Sequence, residues 1–342
     1  MAKYKKIKLN MRSDTLEKLI MAYLSGYAPS RASAAEMCSV SKVTSGKVAN
    51  ALLNSGFMTE RIFACGGGRP SAHLFFRASA NILIVDLSSS VFKMSICNAL
   101  GQIKFHAEHE YDTSISPDDN LNIFLSRCGT CAKKTNHSFL AISVVYADGN
   151  SRTYLENGFV CAHLPQISDK EYIAKAVYDI FGKSPIKHIK VSETISEAIR
   201  FKAHDKTADG GISYVFIGDH LSLFHVYPDS SVTVCSPQTL LDDDEKKSLS
   251  LYGNMTKEDT DRLFVRMCSF MGAAFSPSSI LLESDKVFHD RETSEKITGR
   301  FALANQNPPI IYTKSNKFPL CVIGAVRSTL FTIIKKYITA SE

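Results

Sequence analysis

Phe57-Met58-Thr59-Glu60-Arg61-Ile62-Phe63, Cys65-Gly66-Gly67-Gly68-Arg69-Pro70 and Ser71-Ala72-His73-Leu74-Phe75-Phe76 follow one another as strand, tight loop and strand. The chain then enters Ile82-Leu83-Ile84-Val85-Asp86, the opening strand of a larger unit. Three glycines let the loop backbone come close to a phosphate or to a minor groove, and Arg69 supplies the charge. A nucleotide loop would need a strand before the glycines and a helix after them, which this order lacks.

Working back from the hairpin, residues 13–56 predict three helices. Leu16, Leu19, Ile20, Tyr23 and Leu24 form one stripe over Asp14 to Leu24, with Ser13 as N-cap and Gly26 as the end. A short second helix fits Ala32 to Cys38, where Ala34, Ala35 and Cys38 are small enough for close helix approach. Ser39-Val40-Ser41 is then the turn, and Ser41 caps a third helix from Lys42 to Asn54. With Val48, Leu52 and Leu53 inward, the outward side chains are Lys42, Thr44, Ser45, Lys47 and Asn50. Such residue types in the first turns of a helix can bond base edges or phosphates in a major groove. Residues 1–77 therefore read as a winged helix-turn-helix for double-stranded operator DNA, with contacts from Ser41, Lys42, Thr44, Ser45, Lys47, Asn50 and Arg69. The competing reading is a helical subdomain with an ordinary hairpin. Gly46 is out of place in the third helix, where it costs about 1 kcal/mol relative to alanine.

Charge supports polyanion binding by this end. The 342-residue chain has a net charge of +6, yet residues 1–80 carry 12 Lys and Arg against four acidic residues, an excess of eight that leaves the remainder at −2. The apolar fraction of 44% suffices for a core in each of two units. No apolar run approaches the roughly 20 residues of a spanning helix, and Met1-Ala-Lys-Tyr-Lys-Lys leads into polar sequence, so a cytoplasmic protein without membrane partners is expected. Nine cysteines without scaffold spacing indicate reduced thiols. Cys128-Gly-Thr-Cys131 has C-x-x-C spacing but no second pair, and reads as incidental thiols rather than a metal or redox site.

From residue 78 to 342 strands and helices alternate, which predicts an α/β unit. Strands are expected at Ile82 to Leu87, Val91 to Cys97, Ile103 to His109, Phe139 to Val145, Ile186 to Val191, Ile212 to Ile217 and near Ile280 to Leu282. Helices are expected at Leu121 to Lys133, Tyr172 to Phe181, Ser196 to Lys202, Lys257 to Ala274 and Val322 to Ile338. The stretch Lys246 to Thr256 reads as a surface loop.

The wing Gly67-Gly68-Arg69-Pro70, the strand ending at Asp86 and the following strand, Gly101 turn and strand together resemble the ROK group (repressors, open reading frames and sugar kinases), in its repressor branch. Pro277 with Ile280, and Gly324-Ala325, add weaker matches. The resemblance covers most of the chain and implies a winged helix-turn-helix followed by an actin-like, two-lobed sugar-kinase fold. It further implies a homodimer or higher homo-oligomer and a sugar or sugar-phosphate effector. Against the family's kinases the chain departs at each motif. Asp86 is followed by Leu87-Ser88-Ser89-Ser90 in place of a glycine-rich phosphate turn. Glu193-Thr194 stands where the family has Asn and the catalytic Asp, and threonine cannot act as that base near neutral pH. Gly218-Asp219-His220-Leu221-Ser222 and Glu283-Ser284 replace glycine loops, and Cys235 is alone where a zinc cluster belongs. The expectation is a transcription regulator, more specifically a repressor, that is not an enzyme and has no catalytic residues, metal or cofactor. Asp86, Glu193 and Thr194 would line an effector cleft between the lobes. The alternatives are an ATP-dependent sugar kinase with an ancillary DNA-binding domain, and a redox-responsive regulator using Cys128 and Cys131.

Overall fold

A computed structural model describes residues 4–26, 29–63, 71–77, 79–88, 91–112, 114–134, 139–146, 170–182, 184–202, 210–217, 221–229, 231–235, 256–284, 295, 299, 310–312 and 320–341. The first 77 residues form a head: β1 (Ile7–Asn10), α1 (Ser13–Ser25), α2 (Arg31–Met37), α3 (Lys42–Asn54), β2 (Met58–Phe63) and β3 (Ser71–Phe76). The apolar stripe of α1 is buried as its spacing predicts. Ser13 lies inside the first turn and bonds Glu17 at 3.4 Å, so it is not the cap; Arg12 holds that position without a side-chain capping bond. Gly26 ends α1 in the left-handed conformation, φ 76°. The second helix starts one residue earlier than expected, because Ser30 and Ser33 exchange side-chain-to-backbone bonds as a capping box.

β2 and β3 pair antiparallel from Met58 with Phe76 to Phe63 with Ser71. Residues 64–70 between them, Arg69 included, lie outside the described residues.

The body holds two five-stranded sheets of the same plan. In the first, β6 (Ile103–Glu110), β5 (Val91–Cys97), β4 (Ile82–Leu87), β7 (Ala141–Tyr146) and β8 (Ile186–Lys190) lie in that order. In the second the order is β11 (Val232–Cys235), β10 (Leu221–Val226), β9 (Ile212–Ile217), β12 (Ser279–Ser284) and β13 (Ile310–Tyr312). Each sheet joins three antiparallel strands to two parallel ones across β4–β7 or β9–β12. The helices are α4 (Pro117–Lys134), α5 (Lys170–Phe181), α6 (Val191–Lys202), α7 (Lys257–Phe275) and α8 (Leu320–Tyr337), followed by β14 (Ile338–Ser341).

Several boundaries differ from the sequence reading for local reasons. α4 starts four residues before its first apolar position, since Pro117, Asp118 and Asp119 suit a first turn. α6 begins at Val191 rather than Ser196, directly from the end of β8. Thr256, placed in a loop, is the N-cap of α7 and shares a capping box with Asp259.

α6 and α8 pack closely against each other. A Cβ on Gly324 would stand 1.7 Å from the carbonyl oxygen of Thr194, so only glycine permits this approach. From there α8 runs to the head, where β14 pairs in parallel with β1, Ile7 opposite Ile338. Arg327 donates to the Ser25 carbonyl at 3.3 Å and Lys335 pairs with Glu17 at 2.5 Å. One apolar cluster includes Leu19, Ile20, Leu24, Val48, Leu52 and Phe57 of the head together with Ile82, Ile84, Val326, Leu330, Ile333 and Ile338. Phe57 is stacked on Tyr4 at 4.4 Å and meets the edge of Tyr337 at 5.7 Å. Side chains of this size contribute about 1.5–3 kcal/mol each when buried, so the contact between head and body is part of the core.

Candidate functional site

The exposed side of α3 is organised from its first turn. Ser41 accepts the Thr44 backbone N–H at 3.0 Å, and the two hydroxyls are 2.9 Å apart. The helix is thereby capped and the Thr44 hydroxyl is held at its end. Lys42, Lys47 and Asn50 are exposed and Thr44 is half-buried. Ser45 does not join them. Its side chain is fully buried, 2.9 Å from the Tyr23 hydroxyl and donating to the Arg31 carbonyl at 2.8 Å, so it positions α3 against α1 and α2.

The same geometry brings out Val43, which polarity had hidden. It is 71% exposed in the first turn of α3, on the side where Lys47 and Asn50 follow at i+4 and i+7. Counting 100° per residue from buried Val48 and Leu52 would have found it.

Arg31, also absent from the expected contacts, ties this face to the hairpin. Its guanidinium pairs with Glu60 of β2 and donates to Asn50 Oδ1 at 3.0 Å. Arg61 lies 5.5 Å from the ring centre of Phe75, and Ile62 is 73% exposed beside half-exposed Phe63. A cationic and polar helix face is thus held beside a two-stranded ribbon by a charged latch.

The expected cleft residues differ in exposure. Asp86 is half-buried and accepts from the Ser88 backbone N–H at 3.0 Å and its hydroxyl at 2.5 Å. Thr194, expected to line the cleft, is fully buried; its hydroxyl donates to the Val191 carbonyl at 2.6 Å and lies 3.3 Å from Cys321 Sγ. The reason is the tight crossing with α8 at Gly324. Glu193 is exposed on the first turn of α6, where it accepts the Lys190 N–H at 3.4 Å.

Glu283, seen from sequence only as a lost glycine, is buried. It accepts from the Tyr214 hydroxyl at 2.6 Å and from the Leu320 N–H at 3.2 Å, a carboxylate seated on the positive end of α8. Burial, followed by the nearby Asp86 and Glu283 charges, pushes the Cys321 thiol well above its usual range. Cys128 is likewise buried in the first sheet's core, its thiol pushed up to about 12 chiefly by desolvation. Residues 218–220 and 236–255, which include most of the expected surface loop Lys246 to Thr256, lie outside the described residues. Among the described residues, no helix is long and apolar enough to cross a membrane.

No protein-family model and no curated protein matches the sequence. Solved structures do match the fold. A ROK family transcriptional regulator, a homologue of the E. coli Mlc protein, is similar over 93% of this chain and 97% of its own, with 12% identity and a TM-score of 0.55. The inorganic polyphosphate/ATP-glucomannokinase of Arthrobacter sp. strain KM matches 75% of this chain and 99% of its own, at 15% identity and a TM-score of 0.47. The ROK hexokinase of Thermus thermophilus matches the same shares at 10% identity and a TM-score of 0.44. The resemblance to the ROK group thus holds at the level of the fold, and the similarity to the regulator is broad enough to take in residues of the head as well as the body.

Proposed function

We propose that this protein is a DNA-binding transcription regulator, a repressor of the ROK type, in which residues 1–77 act as a winged helix-turn-helix and residues 78–342 as an actin-like, two-lobed body. The observation that carries the reading is the exposed face of α3, with Lys42, Lys47 and Asn50 in a capped helix beside the β2–β3 ribbon. Thr44, Lys42, Lys47 and Asn50 are the proposed contacts on α3, Ser41 presents its first turn, and Arg69 acts from the wing. The fold likeness to a ROK transcriptional regulator supports the same reading.

The body serves as a dimerisation and sensing unit rather than a kinase, in a cytoplasmic protein. Thr194 stands where the resemblance requires a catalytic carboxylate, and its hydroxyl is committed to Val191. A homodimer presents two heads to paired half-sites, and a sugar or sugar phosphate is the effector class. Asp86 and Glu193 remain its proposed contacts.

Footprinting on the DNA upstream of its own gene tests the proposal: a protected, salt-sensitive, sequence-preferring site is expected. Arg69→Ala should weaken binding to all sequences and reduce the salt slope, whereas Thr44→Ala should change sequence preference. Binding without any sequence preference would refute the regulator reading. Turnover above background with ATP and common hexoses would restore the kinase.

A further inference from the structure

Val43 carries an inference about what the DNA site must contain. It is 71% exposed although it stands in a face whose other members are polar, with Lys42 before it and Lys47 and Asn50 on the turns that follow. A single exposed apolar residue on a protein surface needs no explanation. Its place here gives it one, because the first turn of this helix is the part that would enter a major groove. Valine is stiff at χ1, so its two methyl groups project at a fixed place from a capped turn, without the entropy loss of a flexible side chain. Open space surrounds it as well. Gly46, one turn on, has no side chain, and a Cβ there would meet only Arg31 Cδ at 4.0 Å.

The edges of the four base pairs in the major groove present donors and acceptors, with one apolar group among them, the C5 methyl of thymine. The geometry points to Val43 as a specificity-determining residue that packs against a thymine methyl in each half-site. Lys42 and Lys47 flank it with the charge that a phosphate backbone complements. This rests on the DNA-binding reading above and deepens it.

The test uses the full-length protein and separates the two claims. A preferred duplex is first selected from a random pool, and each thymine is then replaced in turn by uracil, which removes only the methyl group. Wild-type protein should lose about four-fold in affinity at one thymine per half-site, the effect of about one buried methyl-sized group. Val43→Ala should bind the thymine and uracil duplexes alike, with unchanged melting temperature and salt slope. Uracil tolerated by the wild type at every position, or a methyl effect that persists in Val43→Ala, would overturn the Val43 assignment while leaving DNA binding intact. Failure to select any preferred duplex would instead remove the DNA-binding reading, and this inference with it. A loss of self-association in Val43→Ala, with no methyl effect, would reassign the residue to contact between copies of the chain and overturn the inference.

Discussion

At the scale of single residues, polarity and position on a helix disagree at two places in α3, and position decides both. Ser45 is two residues past Val43, about 200° around the helix, which turns it toward the side of Val48 and Leu52. There its hydroxyl is satisfied by Tyr23 and Arg31. Sorting by side-chain type put the serine outside and overlooked the valine, whereas the 3.6-residue period contains the right assignment for each. Gly324 gives the sharpest residue-level prediction. An alanine Cβ there would lie 1.7 Å from a backbone oxygen, so α6 and α8 must separate. Gly324→Ala should destabilise the protein by about 3 kcal/mol or more in urea unfolding. A loss below about 1 kcal/mol would show that the crossing yields easily.

Elements held by local chemistry were the most legible. The bounds of α3 agree with the cap at Ser41 and the end at Asn54, and β9 matches Ile212 to Ile217. β1, β10, β11, β13 and β14 went unread because each is short or sits beside loop-like sequence; β1 and β14 are further specified only by each other, from opposite ends of the chain. For the candidate site, the helix caps and the charged face were visible. The Arg31 latch and the seat of Glu283 on α8 were not, since both join residues far apart in sequence. Gly46 belongs to this scale too. The nearest heavy atom to an added Cβ is 4.0 Å away, so packing does not require glycine. Gly46→Ala should therefore stabilise the protein by about 1 kcal/mol in denaturant. A destabilised variant would mean that α3 needs the glycine backbone.

Across the whole molecule, the head and the body share one core. α8 is 18 residues long, which spans about 27 Å, and links the Glu283–Thr194 region to Tyr4 and Phe57 of the head. Lys187 steadies its middle, donating to the Ser328 carbonyl at 3.2 Å and to Thr332 Oγ1 at 2.9 Å. A fragment of residues 1–77 would lack Leu330, Ile333, Tyr337 and β14, and with them much of the apolar surface around α1 and Phe57. Circular dichroism of that fragment should show no cooperative thermal transition. A sharp melt like that of the full chain would show instead that the head folds alone.

The pairing of β1 with β14 also sets an order in time. Ile7 meets Ile338, 331 positions later, so the head leaves the ribosome long before the strand that completes it. At about 5–20 residues per second, the wait is roughly 17–66 s. During that interval the nascent head lacks its partner strand and the apolar face of α8. Premature termination would then yield chains whose head lacks β14 and the apolar side chains of α8.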